Sequence, residues 1–174
     1  MKKILAVVVF ATVAVSAQSA LAASPHFKKG GEPVCTISGS TVTCKGSLTG
    51  LGNEDVKINV TVSGFAVYQC RNKGGNIAPG QNKVLTGPVT APTTIPSSEI
   101  KNGNLTFTTN PATLTAPSTV SGEAAGCPNG NWTGVNPTVT ITSIRLTIAQ
   151  GGSTFYDRTV SNSSGLTGTI RFPA

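Results

Sequence analysis

Four cysteines, Cys35, Cys44, Cys70 and Cys127, are the residues of this chain best placed to do chemistry. An even count without any C-x-x-C spacing reads as two disulfides, not as a zinc site. Four cysteines allow three connectivities, and the residues around the first pair choose among them. Gly39-Ser40 makes a good two-residue hairpin turn. With that turn at the tip, Ser38 faces Thr41, Ile37 faces Val42, Thr36 faces Thr43 and Cys35 faces Cys44. Directly opposed antiparallel residues lie within disulfide reach. The same register puts Cys35, Ile37, Val42 and Cys44 on one face and hydroxyl side chains on the other, as in an outer sheet. Cys70 and Cys127 then pair by elimination. The chain-entropy estimate gives that longer bridge roughly 4 kcal/mol, against less than about 3 kcal/mol for the hairpin bridge.

Other reactive groups are sparse. His26 is the only histidine, and it falls in a segment expected to be a flexible tail, where it cannot be held in catalytic geometry. Ser98-Glu99-Ile100-Lys101 matches S-x-x-K, but the partner motifs of the penicillin-binding enzymes are missing. Ser98 therefore reads as a turn residue. Glu54-Asp55 is the only adjacent acidic pair, and neighbouring strand positions point to opposite faces. Scattered carboxylates offer no calcium cage, and Gly50-Leu51-Gly52 opens no helix and reads as a turn. The four N-x-S/T sequons, at Asn59, Asn104, Asn131 and Asn162, are about what so much Asn, Ser and Thr produces by chance. Nothing in these patterns calls for a cofactor or a metal.

The groups that could instead bind are amides. A Cys70–Cys127 bridge must bring the segment 71–82 next to the segment 128–132. Together these carry Arg71, Asn72, Asn76, Gln81, Asn82, Asn129 and Asn131. Such a cluster of amide and guanidinium groups suits neutral hydroxylated ligands or exposed peptide backbone. The first segment is expected to be a long ordered loop, of the sort that often carries function. The competing reading is that Asn and Gly serve turn conformations, with the amides capping their own backbone. Trp132, five residues past Cys127, is expected to be at least partly buried against that bridge, the alternative being an exposed platform for a sugar.

The elements that must position these groups are strands. Val56, Ile58, Val60 and Val62 alternate with polar residues, and Gly64 reads as a bend or bulge before the pattern resumes through Phe65 to Cys70. Leu105 and Phe107 follow an Asn102-Gly103 turn. Val139 and Ile141 alternate, and Ile144, Leu146 and Ile148 continue on the opposite parity, which marks a β-bulge near Thr142-Ser143. Gly151-Gly152 turns that strand into one over 154–160, and 167–172 makes a last strand. Helical periodicity is confined to one turn over 121–125. Prolines cluster in 88–96 and 111–117, which read as connections between strands. The sum is an all-β, antiparallel β-sandwich of immunoglobulin-like architecture over 33–174. The spacing of Cys70 and Cys127 resembles that of an immunoglobulin domain, but Trp132 lies after the second cysteine and Ala125 stands where a corner tyrosine would be.

The start of the chain predicts export. Lys2-Lys3, the apolar run from Ile4 to Val15 and the Ala20-Leu21-Ala22 site form a signal peptide over 1–22 of bacterial character. The run is too short to span a bilayer, which takes roughly 20 residues. Residues 23–32 are expected to be a flexible tail. Without Lys2 and Lys3 the 13 basic residues become 11, against 6 acidic ones, a net charge of +5. These are scattered and lack interleaved aromatics, which argues against nucleic-acid binding and allows only loose attraction to an anionic cell surface.

Two stretches, Cys70-Arg71-Asn72-Lys73-Gly74-Gly75-Asn76-Ile77-Ala78-Pro79-Gly80-Gln81-Asn82 and Gly126-Cys127-Pro128-Asn129-Gly130-Asn131-Trp132, resemble recurring loops of small secreted bacterial two-disulfide β-proteins. The resemblance implies no activity and assigns no site residue. The expected function is that of a secreted, non-catalytic binding or surface-interaction protein with an extracellular protein or carbohydrate partner. The alternatives are a small secreted hydrolase of cell wall or polysaccharide and a secreted protease inhibitor. General acid–base chemistry needs paired titratable groups, which ranks the hydrolase second.

Overall fold

The computed structural model describes residues 23–174; the signal peptide expected over 1–22 lies outside them. Twelve strands, one α-helical turn and one 3-10 turn follow in chain order: β1 (His26–Phe27), β2 (Val34–Ser38), β3 (Thr41–Thr49), β4 (Val56–Arg71), β5 (Ile77–Pro79), β6 (Val84–Ile95), the 3-10 turn (Ser97–Glu99), β7 (Leu105–Thr108), β8 (Ala112–Thr113), β9 (Thr119–Ser121), α1 (Gly122–Ala125), β10 (Thr133–Gln150), β11 (Ser153–Ser161) and β12 (Thr169–Arg171). They form two antiparallel sheets. In the first, β3 is central, with β1 and β2 along one edge, β7 and β8 along the other, and β12 outside β2.

The second sheet is built on one long pair, β4 with β10, of 16 and 18 residues. Its lower half is flanked by β6 and β11 and its upper half by β5 and β9. Alternation along β4 explains the packing. Val56, Ile58, Val60 and Val62 face inward and are fully buried. With Ile144, Leu146 and Ile148 of β10 they meet Val42, Leu48, Phe107, Leu114 and Phe172 from the first sheet's side, giving a main core between two layers. The upper half projects past that core and has its own small one. Ala66, Tyr68 and Cys70 pack on Ala125, with Val84, Val120 and Trp132 around them.

The hairpin register and both disulfides stand as read from the sequence: Cys35 is opposite Cys44, and the bridges are Cys35–Cys44 and Cys70–Cys127. The parity shift in β10 is a bulge, with Thr142 the extra residue where Ile141 pairs with Gly64 and Ser143 with Ser63. On the other edge of β4 the extra residue falls in β6, between Thr86 and Val89. The turns at Gly39-Ser40 and Gly151-Gly152 each close a hairpin. α1 ends in Gly126, whose left-handed φ of 66° suits glycine.

Three expectations need correction. Residues 23–32 are not a free tail: β1 pairs with β3, and Phe27 meets the Tyr156 ring edge-on at 4.8 Å. With the Lys28 N–H donating to the Ser47 carbonyl (3.0 Å) and the Ser47 N–H to the Gly31 carbonyl (2.9 Å), pairing and aromatic contact together tie the segment down. Residues 88–96 are not a connection but most of β6. Pro88 falls in the bulge, outside the ladder, and Pro92 is tolerated because β4 pairs with this strand on one edge only, so its missing N–H can face the open edge. Finally, Cys70–Cys127 lies wholly on the second sheet's side and does not join the two sheets. It serves a different purpose from the inter-sheet bridge of an immunoglobulin domain.

Both tyrosines of the chain are buried, and each hydroxyl donates to a proline carbonyl, Tyr68 to Pro117 (2.9 Å) and Tyr156 to Pro173 (2.7 Å). Burial pushes both phenols up, Tyr156 from 10.0 to about 12 against a small opposing pull from Arg158. A phenol with a raised folded-state pKa contributes its full stability below the unfolded value of 10.0 and loses it as pH climbs through about 12. Tyr156 is therefore expected to stay un-ionised through pH 10.0 in the folded protein, so that at least half of the tyrosinate absorbance appears only above that pH, with alkaline unfolding. Ionisation of both tyrosines at that pH with unchanged circular dichroism would contradict this.

Candidate functional site

The expected loop cluster lies at the upper end of the second sheet. Arg71, the last residue of β4, is flanked by Thr133 of β10 on one side and Ile77 of β5 on the other. The 72–76 turn and the 128–132 loop therefore sit beside each other. The bridge holds them with Cα atoms of Cys70 and Cys127 5.6 Å apart. Segment 71–82 is not a long irregular loop, as expected, but a hairpin. Ladder pairs Gln69–Pro79, Cys70–Ala78 and Arg71–Ile77 carry it to a tight turn. Glycines at 74 and 75 allow that turn, with Gly75 at a φ of 84°.

Most of the amides serve their own backbone. Asn72 Oδ1 accepts from the Asn76 N–H (2.9 Å), and the Asn72 N–H donates to the Asn76 carbonyl (3.1 Å). Asn129 Oδ1 accepts from the Asn131 N–H (3.0 Å). Gln81 Nε2 donates to the Pro79 carbonyl, a long bond of 3.4 Å. Asn82 Nδ2 donates to the Glu123 carbonyl (3.2 Å) while its N–H reaches the Ala125 carbonyl, so Asn82 fastens the hairpin to α1. These are Asx-type turn roles. The side chains of Arg71, Asn76 and Asn131 are exposed and make no hydrogen bond within the described residues. Trp132 is half-buried against the upper core that contains Cys70, as expected. The structure thus brings all eight residues to one end but leaves only three polar side chains free to meet a partner.

The remaining sequence candidates are structural. Lys101 Nζ donates to the Ser98 backbone carbonyl (2.8 Å), not to its hydroxyl. Asp55 Oδ1 accepts from the Ser97 N–H (2.8 Å), which ties the start of β4 to the turn after β6. His26 Nδ1 bonds the Ser24 carbonyl (2.7 Å). At the lower end, an open cavity of about 680 Å³ is lined by Pro25, Leu51, Gly52, Glu54 and Phe155 among others. Buried Gln150 at its base is fully engaged: it accepts from Gly52 N–H and donates to the Gly52 and Glu54 carbonyls. Among the described residues Glu54 is the only titratable side chain lining this cavity, and these residues give it no acid–base partner there.

Among the described residues no three His, Cys, Asp or Glu gather as metal ligands, and no helix is long and apolar enough to cross a membrane. The one ion pair there, Arg145 with Asp157, is bidentate and exposed. The bond from Arg145 lowers the Asp157 pKa and raises that of Arg145. Sequence reading missed the outer face of the upper half of the second sheet, where Lys83 and Leu85 lie. They belong to β6 or its approach, and prolines hid that strand. No protein-family model, curated protein or solved structure matches the chain.

Proposed function

We propose that this is an exported, non-catalytic binding protein that engages an envelope or extracellular partner through its disulfide-held upper end. The supporting observation is the arrangement of that end. A covalent bridge and a two-sided ladder fix the hairpin turn beside the 128–132 loop, and Arg71, Asn76 and Asn131 stand outward from it without internal partners. A rigid frame with a few exposed hydrogen-bonding groups loses little entropy on binding. Amides and a guanidinium favour hydroxylated or peptide-backbone ligands over highly charged ones. Two disulfides suit an oxidising compartment, in keeping with export.

The test is retention of the oxidised 23–174 protein on immobilised cell-envelope material. Replacing Arg71, Asn76 and Asn131 together by Ala is expected to weaken retention by about tenfold or more and to leave the unfolding midpoint unchanged, since none of the three supports the fold. Unchanged retention would move the site elsewhere. The N72A variant is the contrast: it removes a turn cap and is expected to lower stability by about 1 kcal/mol.

A further inference from the structure

We propose that the outer face of the upper half of the second sheet docks on an anionic phospholipid surface. Directly opposed residues of an antiparallel pair share a face, so the ladder defines this one. Phe65, Val67, Gln69 and Arg71 of β4 alternate with the inward row Ala66, Tyr68 and Cys70 and so take the outer face, where Phe65 is itself buried, with Lys83 over its ring. Ile77 shares that face through Arg71, and Leu85 through Phe65. Lys83 joins it by placing Nζ 4.4 Å from the centre of the Phe65 ring.

Two properties of the face stand out. Ile77 and Leu85 are the large apolar side chains that the described residues leave most open, 51% and 88% exposed, and both are here. They stand apart and form no contiguous apolar patch; what sets the face apart is that both lie on the side that carries the cations. The charge is also one-sided. Arg71 and Lys83 lie on the face and Lys73 lies in the turn above it. The carboxylates are elsewhere: Glu54 and Asp55 precede β4, Glu99 follows β6, Glu32 precedes β2, Asp157 is in the lower half, and Glu123 is in α1, which packs on the inner side with Ala125.

The chemistry favours a bilayer over a peptide. Phe65 and Arg71, the ladder partners of the two aliphatics, are six residues apart on one strand, about 20 Å, too far to line one pocket. The shallow groove between them is floored by Val67 and edged by Gln69 and Asn136. Those two amides are spent on each other, Asn136 Nδ2 donating to Gln69 Oε1 at 2.9 Å. What remains is an open sheet face, grooved at Val67, with separated aliphatics and cations. Such a surface can set its apolar groups at the headgroup–acyl boundary and its cations against lipid phosphates. This surface adjoins the loop site proposed above and shares Arg71 with it, so Arg71 is left intact in its test.

The test is co-sedimentation of oxidised 23–174 protein with vesicles of phosphatidylglycerol mixed equally with phosphatidylcholine, and with vesicles of phosphatidylcholine alone. Binding is expected only to the anionic vesicles and to weaken with added salt. Leu85→Asp and Ile77→Asp are each expected to reduce partitioning at least about tenfold, and Lys83→Ala about fivefold. All three side chains lie at the surface, so an unchanged unfolding midpoint certifies the variants. Lys57→Ala, on the lower half, is expected to have little effect. Equal binding to both vesicle types, no binding to either, or wild-type binding by both Asp variants would overturn the proposal. Retention on polyglutamate without vesicle binding would also overturn it, in favour of an acidic peptide partner.

Discussion

Replacing both Cys70 and Cys127 by Ala is expected to lower stability by about 4 kcal/mol and to open the upper core first. The bridge closes a loop of 57 residues' separation, against 9 for Cys35–Cys44, whose loss is expected to cost about 2.7 kcal/mol. The size of the effect follows from what else holds the upper half. Its fully enclosed apolar side chains are few, Ala66, Tyr68, Cys70 and Ala125, and α1 is a single turn that cannot persist alone. Hydrogen bonds from Gln81 and Asn82 to the Ala125 carbonyl tie the hairpin to α1, but they need α1 in place. The measurement is urea unfolding followed at Trp132, the only tryptophan. In the Cys70/Cys127 variant its emission is expected to shift red and iodide quenching to rise before the main core melts. In the Cys35/Cys44 variant both are expected to stay as in the wild type until global unfolding. If both variants lost the same stability in one transition, the two cores would be one cooperative unit and the expectation would fail.

Gly64→Val is expected to abolish folding, and Gly64→Ala to cost ~3 kcal/mol or more. Gly64 pairs with Ile141 on β10 and Thr86 on β6, where both neighbours depart from regular pairing. A Cβ there would sit inside the van der Waals shell of the Thr140 carbonyl oxygen, with Ile141 Cα 3.0 Å away. Both obstacles are backbone in a paired strand, so no side-chain rotation relieves them. The long pair would have to separate at its middle, where the main core ends and the upper core begins. Equilibrium unfolding of Gly64→Ala checks this. Gly39→Ala is the control: its Cβ meets nothing within 4 Å, and the cost is only the strain of a φ of 59°, about 1 kcal/mol. A Gly64 variant no worse than this control would refute the close-approach explanation.

Local chemistry made much of the fold legible. The Cys35–Cys44 hairpin follows from a turn dipeptide, an alternation and two cysteines that all demand one register, and all act within ten residues. The β10 bulge was written as a change of parity between Ile141 and Ile144, because side chains reveal which face they need. The second bridge followed by counting. The place of the binding candidates also followed, since a disulfide must bring its flanks together. What those flanks do was not legible. Asn72 and Asn129 look the same in sequence as Asn76 and Asn131, yet two accept from backbone N–H groups and two face outward.

The sequence by itself determined the all-β class, both disulfide pairings, the long strand through Val56 to Cys70 and the bulge in β10; at Gly64, where a bend or bulge was expected, β4 itself runs on and the extra residues lie in β10 and β6. These depend on spacing along one strand or across one turn, which the order of residues encodes directly. Only the tertiary structure decided that 26–27 and 84–95 are strands, that one sheet spans two cores, and that Ile77, Lys83 and Leu85 share a face. Strands at a sheet edge carry weak patterns of their own, because half of their ladder is empty and one side is wet. Their existence depends on the neighbour that pairs with them: Phe27 needs Tyr156, and β6, prolines included, needs the full length of β4.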